Sequence, residues 1–87
     1  MLVHPIGVVI NSSVRGGNHI ILESGVVIGD NRGKSPVLAN DIFVGSGAKI
    51  IGGVSIGDGV RIGANAVVLK DVPSGSTAVG IQAKVLA

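Results

Sequence analysis

Cysteine, tryptophan and tyrosine are absent from this 87-residue chain, and Phe43 is its one aromatic residue. Without cysteine there are no disulfides and no thiolate metal sites. The two histidines, His4 and His19, fall on different turns with few carboxylates near them, so no metal is expected. A net charge of only +2 and the lack of stacking rings exclude a nucleic-acid surface. No apolar run approaches the ~18 residues of a membrane helix, so no membrane partner is expected. No signal peptide or lipidation motif is visible, which makes the cytoplasm the expected compartment.

What is present is glycine, 15 residues of it, and small aliphatic side chains that bring the hydrophobic share to 46%. That is too apolar for disorder, and the collagen period is missing. The length suits one domain, over residues 1–87. A lone core of this size is marginal, so regular stacking or self-association has to add stability.

The internal repeat decides the fold class. From Leu38 an aliphatic residue returns every six positions, as Leu38, Val44, Ile50, Ile56, Ile62 and Val68. A second small apolar residue follows each by four, as Ile42, Ala48, Val54, Val60, Ala66 and Val72. Upstream the pattern continues through Ile10, Leu22 and Ile28, with Val14, Ile20 and Val26 as second members and Gly16 as the one lapse. Between the pairs lie residues that tolerate positive φ, such as Asn18, Asn40 with Asp41, Gly52 with Gly53, Asp58 with Gly59, and Asn65. A six-residue period fits neither an amphipathic helix nor an alternating strand. It predicts an all-β parallel β-helix in which three strand-turn units make one triangular coil of about 18 residues, with about four coils in the chain.

Two departures from the beat are visible. Ile28 to Leu38 spans ten residues, which predicts an extruded loop over about 30–37; Leu2 to Ile10 spans eight, which predicts a slip around Gly7 and Val8. A C-terminal tail is expected from about 74 to 87. Counting every third unit through both slips predicts one face through Leu2, Leu22, Val44 and Ile62, with Ser24, Ser46 and Ala64 stacked over His4 and flanked by Gly45 and Gly63. Such a column of small side chains leaves a shallow slot for an extended, amide-containing chain, of which the pantetheine arm of coenzyme A is one example. The alternative is that tight turns take small residues whatever the function. His4 adds chemistry to the column, because imidazole is suited to taking a proton from a hydroxyl near neutral pH.

HPIG at His4 to Gly7, VVIG ending at Gly29, the loop with Lys34 and Pro36, GSGAKIIGGVSIG from Gly45, IGANAVVLKDVP from Ile62 and GIQAKVL from Gly80 together resemble the catalytic half of serine acetyltransferases and related hexapeptide-repeat O-acetyltransferases. The resemblance implies a left-handed winding and a homotrimer with sites between subunits. It also implies transfer of an acetyl group from acetyl-CoA to a hydroxyl of a sugar, serine or similar small metabolite. It makes His4 the general base, places Gly29, Ser46 and Ala64 on CoA through their backbone, and offers Arg61 and Lys84 to its phosphates. No metal is implied for this chemistry. The chain departs from that family at Val3, where an Asp usually precedes the histidine, in the absence of a histidine from the 30–37 loop, and at Gln82 in place of a usual Pro. Those departures keep a second reading open, a noncatalytic trimeric β-helix scaffold or truncated remnant of such an enzyme.

Overall fold

The computed structural model describes residues 2–3, 9–10, 14–81 and 84–86. His4, Gly7, Val8 and Gln82 lie outside them. Among the described residues the secondary structure is short strands, and successive strands step round three faces. Face A stacks β1 (Leu2–Val3), β4 (Ile20–Leu22), β7 (Ile42–Val44), β10 (Arg61–Ile62) and β12 (Thr77–Val79). Face B stacks β2 (Val9–Ile10), β5 (Val27–Gly29), β8 (Lys49–Ile51) and β11 (Val67–Val68). Face C stacks β3 (Arg15–Gly16), β6 (Val37–Leu38) and β9 (Ser55–Ile56), and Val72 extends it through a parallel bridge to Ile56. All of these pairings are parallel; only β13 (Lys84–Leu86) turns back, antiparallel to β12. This is the parallel β-helix that the six-residue beat predicts.

The beat works because each unit sends two side chains inward. Leu38, Val44, Ile50, Ile56, Ile62 and Val68 are all buried, and so are their second members Ile42, Ala48, Val54, Val60, Ala66 and Val72. Stacked in register, Leu22, Val44, Ile62 and Ala78 form one inner column and Ile28, Ile50 and Val68 another. Each fully buried Val, Leu or Ile is worth about 1.5–3 kcal/mol, so the interior of the prism carries the stability.

Three expectations need correction. Leu2 stands opposite Ile21, and Val3 stands opposite Leu22, so face A begins one residue later than the spacing suggested. The slip between faces A and B is thereby one residue smaller. Val72 is not paired within a unit to Val68 but takes the place above Ile56. Val72 N–H donates to Ser55 O at 2.9 Å and Gly57 N–H to Val72 O at 2.9 Å. Face C therefore arrives two residues early, and Ser76, 6% exposed, fills the next inner position. Finally, the left-handed residues of one corner are His19, Asp41, Gly59 and Gly75: Asp41 and Gly59 are among the expected positions, but His19 takes the place expected of Asn18, and Asn40 is not left-handed. The asparagines have another task. Asn40 Oδ1 accepts Asn18 N–H, Asp58 Oδ1 accepts Asn40 N–H, both at 2.8 Å, and Ser74 Oγ accepts Asp58 N–H at 3.0 Å. Each coil thus ties down the one before it by a side-chain acceptor.

Candidate functional site

The corner between faces A and B carries the small-residue column. Gly45 O accepts Ala48 N–H and Gly63 O accepts Ala66 N–H, each at 3.2 Å, closing two turns whose third residues, Gly47 (φ 74°) and Asn65 (φ 59°), are left-handed. That φ pattern explains Gly and Asn there. The same two residues link the coils: Gly47 N–H donates to Ser24 O and Asn65 N–H to Ser46 O, both at 2.9 Å. Ser24, Ser46 and Ala64 therefore stack directly, with Ser46 and Ala64 exposed. A β-carbon on Gly45 would lie 2.7 Å from Ala64 N, so the coils touch backbone to backbone at this corner.

The structure brings Ser46 and Ala64 together but places the other sequence-derived candidates elsewhere. Gly29 closes β5 on the next corner, between faces B and C, where its carbonyl accepts Gly52 N–H at 2.9 Å. Arg61 points outward from face A with its guanidinium carbon 5.2 Å from the centre of the Phe43 ring. Lys84 begins β13, its backbone opposite Val79. His4 lies outside the described residues, and the column it was expected to head is shifted by the new register. The positions following Leu22, Val44, Ile62 and Ala78 are Glu23, Gly45, Gly63 and Val79.

One cation at the column escaped the sequence reading. Lys49 leaves face B beside the turn, and its Nζ donates to Gly47 O at 3.3 Å. The signal was available, since Lys49 follows the second member Ala48 directly and so had to point outward. His19 is exposed, with Nδ1 3.3 Å from Asp41 Oδ1.

The corner between faces B and C is built differently. Asn31 N–H donates to Lys34 O at 2.9 Å and Lys34 N–H to Asn31 O at 3.1 Å. Between them Arg32 (φ 53°) and Gly33 (φ 76°) are both left-handed, the pattern of a two-residue hairpin turn. The hairpin leans on Gly53, where an added β-carbon would sit 2.9 Å from Lys34 Cβ.

Comparison with known proteins bears on this geometry. Residues 35–70 match the bacterial transferase hexapeptide family (six repeats). A serine acetyltransferase of Helicobacter pylori strain J99 is 48% identical over 87 residues, covering 95% of this chain and 51% of the relative. The crystal structure of Neisseria gonorrhoeae serine acetyltransferase in complex with serine has a TM-score of 0.91 at 31% identity, covering 99% of this chain and 37% of that one. A serine acetyltransferase in complex with CoA has a TM-score of 0.92 at 31% identity, covering 98% and 36%. The chain thus spans about half the length of the first curated relative it matches, or less in the solved structures. The likeness to serine acetyltransferases holds in both sequence and fold. A β-helix of opposite hand would not superpose in this way, so the left-handed winding implied by the resemblance stands.

Proposed function

We propose that this chain is the acyl-transfer half of an acetyl-CoA-dependent O-acetyltransferase with serine as its acceptor. The observation that carries the reading is the stacked corner at Ser24, Ser46 and Ala64, taken with relatives named for this reaction and a solved relative that holds CoA. The ladder leaves the N–H groups of Ser46 and Ala64 without a hydrogen bond among the described residues. They fit the carbonyls of an extended pantetheine arm lying along the corner.

In this reading His4 takes the proton of the serine hydroxyl as its oxygen attacks the thioester carbonyl. The carbon–sulfur bond then breaks, and the proton on His4 goes to the departing thiolate. Gly29 extends the CoA contacts to the next corner. Arg61 and Lys84 meet its phosphates, which requires Arg61 to leave the Phe43 ring, at a cost of about 0.5–1 kcal/mol for an exposed contact of this kind. The working form is a homotrimer, with sites completed between subunits.

The test is thiol release from acetyl-CoA with serine, with other hydroxyl acceptors and with none, for the unmutated chain and His4→Ala. Serine-dependent release lost in His4→Ala is the expected result. Release preferring a sugar acceptor would reject serine. Equal background rates in both proteins, with no CoA binding by calorimetry, would favour the noncatalytic scaffold.

A further inference from the structure

We propose that the Asp58–Gly59 bond is the site at which this chain ages covalently, through a succinimide to isoaspartate, and that the fold holds the site closed through Asn40. The proposal stands apart from the reading of the chain as an acetyltransferase. In the reaction the Gly59 amide nitrogen attacks the carbon of the protonated Asp58 carboxyl. A C–N bond forms, and the amide hydrogen and the carboxyl hydroxyl leave as water. Water then opens the ring. Addition at the side-chain carbonyl restores Asp58, whereas addition at the main-chain carbonyl leaves the chain running through the side chain and longer by a single carbon.

The corner between faces C and A selects the pair. Successive coils place Asn18–His19, Asn40–Asp41, Asp58–Gly59 and Ser74–Gly75 at equivalent positions, and the second residue of each is left-handed. Serine has no carbonyl carbon to attack, and the two asparagines precede residues whose side chains crowd the attacking nitrogen. At this corner Asp58 alone joins such a carbon to a glycine nitrogen, which has no β-carbon beside it. Asp58–Gly59 is the one Asp-Gly pair of the sequence, and Asn-Gly does not occur in it. Both residues are exposed, and nothing lies within 4 Å of the place where a β-carbon on Gly59 would stand.

Both reacting groups are nevertheless tied to one residue of the preceding coil. Asp58 Oδ1 accepts Asn40 N–H at 2.8 Å, and Gly59 N–H donates to Asn40 O at 2.9 Å. The following coil fixes the rest of Asp58: its N–H donates to Ser74 Oγ at 3.0 Å, and its carbonyl accepts Gly75 N–H at 2.8 Å. Ring closure needs the carboxyl carbon turned onto the Gly59 nitrogen and that nitrogen stripped of its hydrogen, and the two bonds to Asn40 oppose both. The corner has to open first, so the native rate is the unfolded rate scaled by the open fraction. Isoaspartate, once formed, turns the main-chain carbonyl that holds Gly75 N–H into a free carboxylate branch, and the ladder at this corner is lost.

The test is to incubate the full chain near neutral pH, folded and in urea that unfolds it, and to follow isoaspartate by peptide mapping. Trypsin releases residues 50–61 as one fragment between Lys49 and Arg61, with Asp58 as its one acidic residue, and the isoaspartyl form separates from it at unchanged mass. In urea this fragment should convert faster than those holding Asp30, Asp41 or Asp71. In the folded chain it should convert about tenfold or more slowly than in urea. Ser74→Ala, which frees the Asp58 N–H, should raise the folded rate by about threefold and leave the rate in urea unchanged. Gly59→Ala, measured in urea so that folding plays no part, should slow the conversion. Equal rates in the folded and the unfolded chain would overturn the closure by Asn40, and faster conversion at another Asp in urea would overturn the site. Should Ser74→Ala fail to fold, the folded-to-unfolded ratio of the unmutated chain decides.

Discussion

Two corners of the prism are made from the same hexapeptide and treat it in opposite ways. Between faces A and B the ladder positions are seven apart on the first coil, Val3 to Ile10, and six apart on the three that follow, Leu22 to Ile28, Val44 to Ile50 and Ile62 to Val68. Between faces B and C the spacing runs ten, six and four, from Ile28 to Leu38, Ile50 to Ile56 and Val68 to Val72. The inner columns are continuous in both cases, so the core does not set this difference. Insertion and deletion are absorbed where chain can bulge outward or tighten. From Leu22 onward the corner between faces A and B keeps a straight external column, which a ligand running along several coils requires; the corner between faces C and A is equally regular, but there the side chains of Asn40, Asp58 and Ser74 bridge the coils.

Substitutions that break this comparison are ranked by expected effect. Removing core common to both corners is largest: Ile50→Ala, fully buried, should cost about 2–5 kcal/mol in denaturant unfolding. Gly45→Ala should come next, at about 1–3 kcal/mol, because the new methyl meets the rigid backbone of Ala64. Gly53→Ala on the variable corner should cost less than Gly45→Ala, since its neighbour is the Lys34 side chain on a hairpin that can tilt away. Asp58→Ala should cost about 1 kcal/mol through the lost acceptor for Asn40 N–H. Replacing Asn31–Lys34 by a direct connection, which restores a spacing of six, should change stability least. A Gly53 cost equal to that of Gly45, read from the same unfolding curves, would remove the distinction between the corners.

Much of this was legible in the sequence, for physical reasons. Inward residues of a narrow prism have to be aliphatic and regularly spaced, so Leu38 through Val68 announce the fold, and the ten-residue gap announces an outward excursion. The errors arose where spacing is degenerate. Val68 and Val72 are four apart, the distance within one unit, so a shortened corner looks like an ordinary pair. Leu2 and Val3 are both apolar, and only the pairing to Ile21 and Leu22 separates them. Asn18–His19 and Asn40–Asp41 each join two polar residues, and the sequence does not say which takes the left-handed turn and which reaches across to the next coil. For the candidate site, the stacking of Ser46 and Ala64 followed from the period, whereas the grip of Lys49 on Gly47 O needed the structure.

The most direct test is to map CoA onto the protein by backbone amide shifts. The amides of Ser24, Ser46 and Ala64 should move together on saturation, while those of Asn18, Asn40 and Asp58 on the opposite corner stay in place. Shifts confined to the latter set, or none at a concentration that supports acetyl transfer, would contradict the assignment of the corner between faces A and B to the cofactor.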